Sequence, residues 1–254
     1  MSRSALILLV ALGLAAGCER KEAKPAVALD DVVEDVPKER PYALPGLKHG
    51  LLQSPVNILS GDAKGAEHMI AVNLHDADPT YLSNTGDTIK LEFPEGPTVT
   101  FDGREYDLKQ VHFHTPSEHQ IDGVTYPMEL HVVSKIEPKS VNEPPFYLVF
   151  AFLYRMGDED PFITSFLDQV PEAPGEAELE PGRVSIADAD RTRLIGDYYH
   201  YRGSLTTPPH TETVEWLIQK EIVQATPEQI RRINVLEGDN ARHVQALYGR
   251  RVDD

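Results

Sequence analysis

Gln110-Val-His-Phe-His-Thr-Pro-Ser-Glu-His119, followed shortly by Met128-Glu-Leu-His-Val-Val133, decides how this chain folds. Extended backbone sends alternate side chains to opposite faces, so His112 and His114 share one face while Val111 and Phe113 share the other. An antiparallel neighbour carrying His131 sets a third imidazole beside them. On that neighbour Glu129, His131 and Val133 face one way, and Met128, Leu130 and Val132 the other. Three imidazoles with one coordination position left open describe a catalytic zinc site, because structural zinc sites close with four protein ligands. Such a site ionises water near neutral pH, which points to an enzyme. A His-x-His pair alone usually marks a half-exposed strand without metal; the third histidine and its carboxylate raise the metal reading to an even alternative. Glu129 and Gln110 each stand two residues before a histidine, where a side chain can hold the ring's second nitrogen.

Outward from these strands, short runs rich in Val, Ile, Thr, Phe and Tyr alternate with turn residues. The runs include Thr88–Phe93, Thr98–Phe101 and Phe146–Tyr154, and the turns include Ser83–Gly86, Pro94–Gly96, Asp102-Gly103 and Asp122-Gly123. Phe146–Tyr154 is apolar on both faces and suits a covered central strand. Helices are predicted around Phe162–Val170 and Thr226–Ile233, the second from a Thr226-Pro-Glu-Gln229 capping box. Glu172–Arg183 reads as a surface loop. The predicted fold is mainly β: a single domain around a large, mostly antiparallel central sheet, with a few short surface helices.

The chain has 254 residues, enough for one sizeable core. A formal net charge of -17 excludes a nucleic-acid partner, which needs a basic surface. Met1-Ser-Arg3 and the apolar run Ala5–Leu14 form an export signal too short to span a bilayer. Small residues Ala15-Ala-Gly17 precede Cys18, the chain's single cysteine, and together resemble a bacterial lipoprotein signal. An ordinary secretory signal with an incidental cysteine is the alternative. The expected organisation is a signal peptide over 1–17, a lipid-anchored flexible linker over 18–45 and a folded domain over 46–254. The expected location is a bacterial membrane surface facing periplasm or exterior.

Several separated motifs together resemble the α-class carbonic anhydrases: Gln53-Ser-Pro-Val-Asn-Ile58, Asn84-Thr-Gly86, Gln110–His114, Ser117-Glu-His119, Glu129-Leu-His131, and Tyr201-Arg-Gly-Ser-Leu-Thr-Thr-Pro-Pro209 with Trp216. Asn240-Ala-Arg242, Gln245 and Arg250 are similar to the family's closing motif, and the likeness runs from about Tyr42 to Val252. The resemblance implies Zn2+ on His112, His114 and His131, and reversible hydration of CO2 to bicarbonate and a proton by zinc-hydroxide attack. It implies that Thr206 orients the hydroxide while passing its own proton to Glu118. It also implies that Val133, Val149, Leu205, Thr207 and Trp216 line the CO2 pocket. His119, Glu129 and Tyr201 are expected in a buried polar network behind the metal, with His119 structural.

Three departures from the family pattern stand out. Asp87 occupies the position where fast relatives often carry a proton-shuttling histidine, and a carboxyl of ordinary pKa near 4 donates poorly at neutral pH. His68, His75 and His210 are the other shuttle candidates. Bacterial relatives commonly place a disulfide cysteine after Thr-Thr-Pro-Pro; His210 stands there and the partner is absent too. The aromatic N-terminal segment of many relatives is also missing, and Thr115 replaces a common aromatic.

Overall fold

Residue alternation carries directly into the sheet. The computed structural model describes residues 50–74, 78–94, 96–184 and 196–254. The signal segment, Cys18, the linker and His75 lie outside the described residues. In chain order the strands are β1 (Asn57–Ile58), β2 (Ile70–Asn73), β3 (Tyr81–Asn84), β4 (Ile89–Glu92), β5 (Thr98–Phe101), β6 (Arg104–His114) and β7 (Gln120–Ile121). They continue with β8 (Val124–Thr125), β9 (Met128–Ile136), β10 (Phe146–Met156), β11 (Gly175–Glu178), β12 (Tyr198–Gly203), β13 (Val214–Gln219) and β14 (Val223–Ala225). Two α-helices, α1 (Pro161–Leu167) and α2 (Pro227–Glu237), and a short 3-10 turn at Ser60–Asp62 complete the regular structure among the described residues.

Eleven strands make one large sheet, ordered β11-β3-β4-β6-β9-β10-β13-β12, with β5 on β6, β2 on β5 and β14 on β10. Most pairs are antiparallel, as expected of a chain read as hairpins and alternating strands. The exceptions in this sheet are β10 with β13 and β10 with β14, which run parallel. The doubly apolar run predicted as a central strand is β10, buried between β9 and these two partners.

The two faces of the sheet bury different things. Val111, Phe113, Met128, Leu130, Val132, Leu148, Phe150 and Phe152 join one large core, which α1 and α2 cover with Phe162, Phe166, Ile230 and Ile233. Val133, Val149, Ala151, Tyr201 and Trp216 belong to a smaller cluster on the other face, capped by Val56, Ile58 and Val252 from the two ends of the domain. The His-x-His face of β6 belongs to this second side.

Both helices begin where their capping residues dictate. Asp160 accepts hydrogen bonds from the N–H groups of Phe162 (2.9 Å) and Ile163, ahead of Pro161. Thr226 and Gln229 form the predicted capping box, and α2 runs to Glu237, one turn beyond the expected end. One reading is corrected: the supposed loop Glu172–Arg183 contains β11, which extends the sheet edge by pairing with β3. Its residues Gly-Glu-Ala-Glu are mostly exposed, so an edge position asks for no apolar alternation and leaves no periodic signal.

The place where relatives often carry a disulfide is held by hydrogen bonds here. Glu212 Oε1 accepts from the N–H of Leu52 (2.9 Å) and from Gln53 Nε2 (2.8 Å). Arg242 donates to Ser54 O (2.6 Å) and Arg250 to Gln53 O (2.6 Å), so the closing motif fastens the same segment.

Candidate active site

β6 and β9 pair so that His112 lies directly opposite His131, and His114 opposite Glu129. A bulge at Lys109 separates the part of β6 that pairs with β5 from the part that carries the histidines. His112 Nε2 lies 3.0 Å from His114 Nε2 and 3.2 Å from His131 Nδ1. Donor atoms of a tetrahedral zinc site with bonds of 2.0–2.1 Å sit about 3.3–3.4 Å apart, close to these separations.

The outer ring nitrogens decide which atoms face inward. Gln110 Oε1 lies 2.9 Å from His112 Nδ1, and Glu129 Oε1 lies 2.7 Å from His131 Nε2. Both oxygens accept, so each ring holds its hydrogen on the outer nitrogen and turns a lone pair inward. Support for His114 is weaker. Asn240 acts on the ring, but His114 Nδ1 makes no hydrogen bond of ordinary geometry. Burial, with His114 and His131 alongside, holds the His112 imidazole well below its usual pKa. Burial likewise lowers His114. Neutral rings are the form that binds a metal.

Glu129 organises the far side. Its Oε2 accepts from the N–H groups of Glu118 (2.8 Å) and His119 (2.7 Å), and its Oε1 also meets His119 Nδ1 (2.6 Å). Burial alone would raise this carboxyl, but His119 and His131 overcome it and hold the group well below the carboxylate range. His119 Nε2 in turn lies 2.6 Å from the Tyr201 hydroxyl, which donates to Ser54 Oγ (2.9 Å). His119 is thus engaged at both nitrogens by protein groups and leaves none for an ion. A side chain at position 203 would collide with Ser54 Oγ and crowd Tyr201 and Trp216, so Gly203 is needed for this close packing.

Glu118 is buried beside the triad. Its Oε1 accepts from the N–H of Arg242 (2.9 Å), while its Oε2 lies 3.4 Å from His114 Nε2 and has no hydrogen-bond partner. Thr206 is buried on the segment that follows β12 and does not bond that oxygen in this structure. Trp216 packs its ring 4.9 Å from His131 and 4.8 Å from His119, and donates from Nε1 to Ser204 O (3.0 Å). Val133, Val149 and Trp216 share one apolar cluster with half-buried Leu205 against it.

A cleft opens over His112 and His114, walled by Thr85, Asp87, Lys90, Gln110, Thr207 and Asn240. Asp87 is exposed at its edge, accepting from the Thr85 hydroxyl (2.5 Å). His68 points away from this cleft, against Phe101 in the helix-covered core. Lys90, Asn240 and Arg242 were not predicted as site residues. Lys90 sits across from His112 in the β4–β6 register, which the sequence of β4 does not announce; Asn240 and Arg242 come from far along the chain, where the closing motif was the available signal.

The comparisons agree with this geometry. Residues 43–254 match the family model for eukaryotic-type carbonic anhydrase. The chain is 40% identical over 208 residues to a carbonic anhydrase of Neisseria gonorrhoeae, covering 80% of this chain and 77% of that protein. It is 34% identical to one of Pectobacterium carotovorum, covering 79% of each. The solved structure of the α-carbonic anhydrase from Thermovibrio ammonificans, in complex with the inhibitor sulfanilamide, superposes with a TM-score of 0.71 at 35% identity, covering 81% of this chain and 88% of that one. That from Photobacterium profundum gives the same score at 31% identity, covering 82% and 91%. With a mainly β fold, a histidine triad on its central strands and this likeness over most of its length, the chain belongs to the eukaryotic-type (α) carbonic anhydrase family.

Proposed function

We propose that this chain interconverts carbon dioxide and bicarbonate with a zinc ion held by His112, His114 and His131. The observation that carries the reading is the convergence of three ring nitrogens, two of them with their hydrogens held outward by Gln110 and Glu129. A zinc ion there supplies a nucleophile by lowering the pKa of water to near 7. The protein's own groups do the rest. Glu129 fixes His131 and, through His119 and Tyr201, anchors the floor of the site to Ser54. Glu118 Oε2, buried and without a hydrogen-bond partner, has acceptor capacity to spare for the Thr206 hydroxyl hydrogen. Having given up its one hydrogen, Thr206 can only accept from the attacking water, which fixes where that water's lone pair points. Val133, Val149, Leu205 and Trp216 offer a linear, nonpolar substrate an apolar wall. Thr207 and Asp87 stand on the way out.

Measured zinc content and carbon dioxide hydration test the reading together. The wild-type chain should carry zinc at the triad and hydrate carbon dioxide. His112→Ala should lose that zinc and about a hundredfold or more of the rate, since removing even an outer partner of a ligand typically costs 10–100-fold. Zinc-loaded wild-type protein without hydration activity would refute it.

We also propose that export ends at Cys18, which carries lipid and tethers the domain over 46–254 through the segment 18–45. The apolar run Ala5–Leu14 ahead of small residues and a single cysteine supports this.

A further inference from the structure

A second set of converging donor atoms lies on the opposite face of β12. Tyr201 points into the network behind the triad, so its neighbour His200 points away, with ring centroids 4.4 Å from His68 and 5.2 Å from Phe101. His200 and Asp253 face each other across the chain's last extended residues and exchange both backbone hydrogen bonds (2.9 and 2.8 Å). That pairing brings Asp253 Oδ2 to 3.3 Å from His200 Nδ1 and 3.6 Å from His68 Nε2.

The outer nitrogens of both rings are held by carboxylates. His68 Nδ1 lies 2.8 Å from Asp102 Oδ2, and His200 Nε2 lies 2.8 Å from Glu215 Oε2. A carboxylate oxygen accepts, so a ring hydrogen sits on each outer nitrogen, and the inner nitrogen of a neutral ring turns a lone pair inward. Two inward ring nitrogens and a carboxylate oxygen converge there, and since His200 Nδ1 and Asp253 Oδ2 lie within hydrogen-bond reach at 3.3 Å, a shared proton and a metal ion are the competing occupants. His68 Nε2 is buried and has no hydrogen-bond partner. Arg251 pairs with the remaining oxygen of Asp253, and Arg202 with that of Glu215. All three inward donors lie within 4.8 Å of one another, and the two shorter separations approach the roughly 3.3–3.4 Å of a tetrahedral site.

We infer that His68, His200 and Asp253 hold a second divalent metal ion of the zinc class, completed by water and independent of the triad. Two imidazoles and one carboxylate suit zinc and its transition-metal neighbours; magnesium and calcium prefer oxygen donors throughout. Carboxylates behind both ring ligands are the usual support of metal-bound histidine. The ion would join three stretches distant in sequence: the approach to β2, strand β12 and the chain's last residues. Its role is that of a staple, in a chain whose single cysteine allows no internal disulfide.

The test uses the full chain with the triad removed, as His112→Ala/His114→Ala. After chelation and dialysis against zinc, this variant should retain about one zinc per chain. Zinc at about a hundredfold over Kd should raise its melting temperature by roughly 5–10 °C. Adding Asp253→Asn, or separately His68→Gln, should abolish both effects. If the triad variant fails to fold, wild-type protein and Asp253→Asn alone are compared, and the substitution should remove about one zinc per chain. The inference is overturned if the triad variant retains no zinc, or if the Asp253 and His68 substitutions leave zinc content unchanged. The first result would mean that a proton, shared between imidazole and carboxylate, fills the space.

Discussion

Glu129 receives four hydrogen-bond donors on two oxygens, and this concentration makes it the residue that positions His131 and His119 behind the triad. Glu129→Ala should weaken zinc binding about 10–100-fold, measured by competition with a chromophoric chelator, because His131 loses the group that fixes its hydrogen. Zinc affinity equal to wild type would remove Glu129 from that role. Asp87 raises a different question, that of the proton's exit. It lies at the cleft edge with a side chain engaged by Thr85, and His112 and His114 are the only histidines among the cleft-lining residues. Asp87→His, or imidazole buffer added to wild type, should raise turnover about tenfold in weakly buffered solution. If neither does, protons leave by another path. At this scale the convergence of the triad histidines was legible because a period of two is a strong local rule. Lys90, Asn240 and Arg242 were not, since what brings them to the site is pairing across the sheet and along nearly the whole chain.

Helix α2 shows how an element can carry a pH dependence. Its Glu237 is buried against β4, where the Ile89 N–H reaches one oxygen at 3.3 Å and Thr115 approaches the other at 3.3 Å. Burial pushes this carboxyl up to about 9, against those two hydrogen bonds and with Asp87 adding repulsion. Unfolded, the group would release its proton near its ordinary 4.5. Between those values the folded chain holds a proton that the unfolded chain has lost, so stability falls as pH rises. The slope from this one group is about 1.4 kcal/mol per pH unit across the window. Glu237→Gln should therefore gain stability relative to wild type at pH 8 and lose the advantage near pH 4, as read from urea unfolding at both values. Equal stability at pH 8 would show that Glu237 is not held protonated. Capped helices such as α2 announce themselves through Thr226, Pro227 and Gln229. Short edge strands such as β11 do not, because exposed backbone pairing asks little of side chains.

The molecule divides its labour between two sides of one sheet. One side buries the large core under α1 and α2; the other carries the triad, the apolar wall and the polar network, sealed by segments from the domain's two ends. This division was readable in part, since strands β6 and β9 alternate cleanly between the two environments. The strand order was not readable, because β13 and β14 reach β10 by parallel pairings that no hairpin signal precedes. At the same scale, Cys18→Ser should move the protein from the membrane fraction to the soluble one and abolish incorporation of labelled fatty acid; unchanged membrane association would sink the lipid anchor. Trp216 gives the fold one further property. It is the chain's single tryptophan, and its ring touches both His131 and His119. Any emission from indole therefore originates beside these two imidazoles, so the effect of added zinc or of acid on them can be read by native fluorescence without attaching a dye.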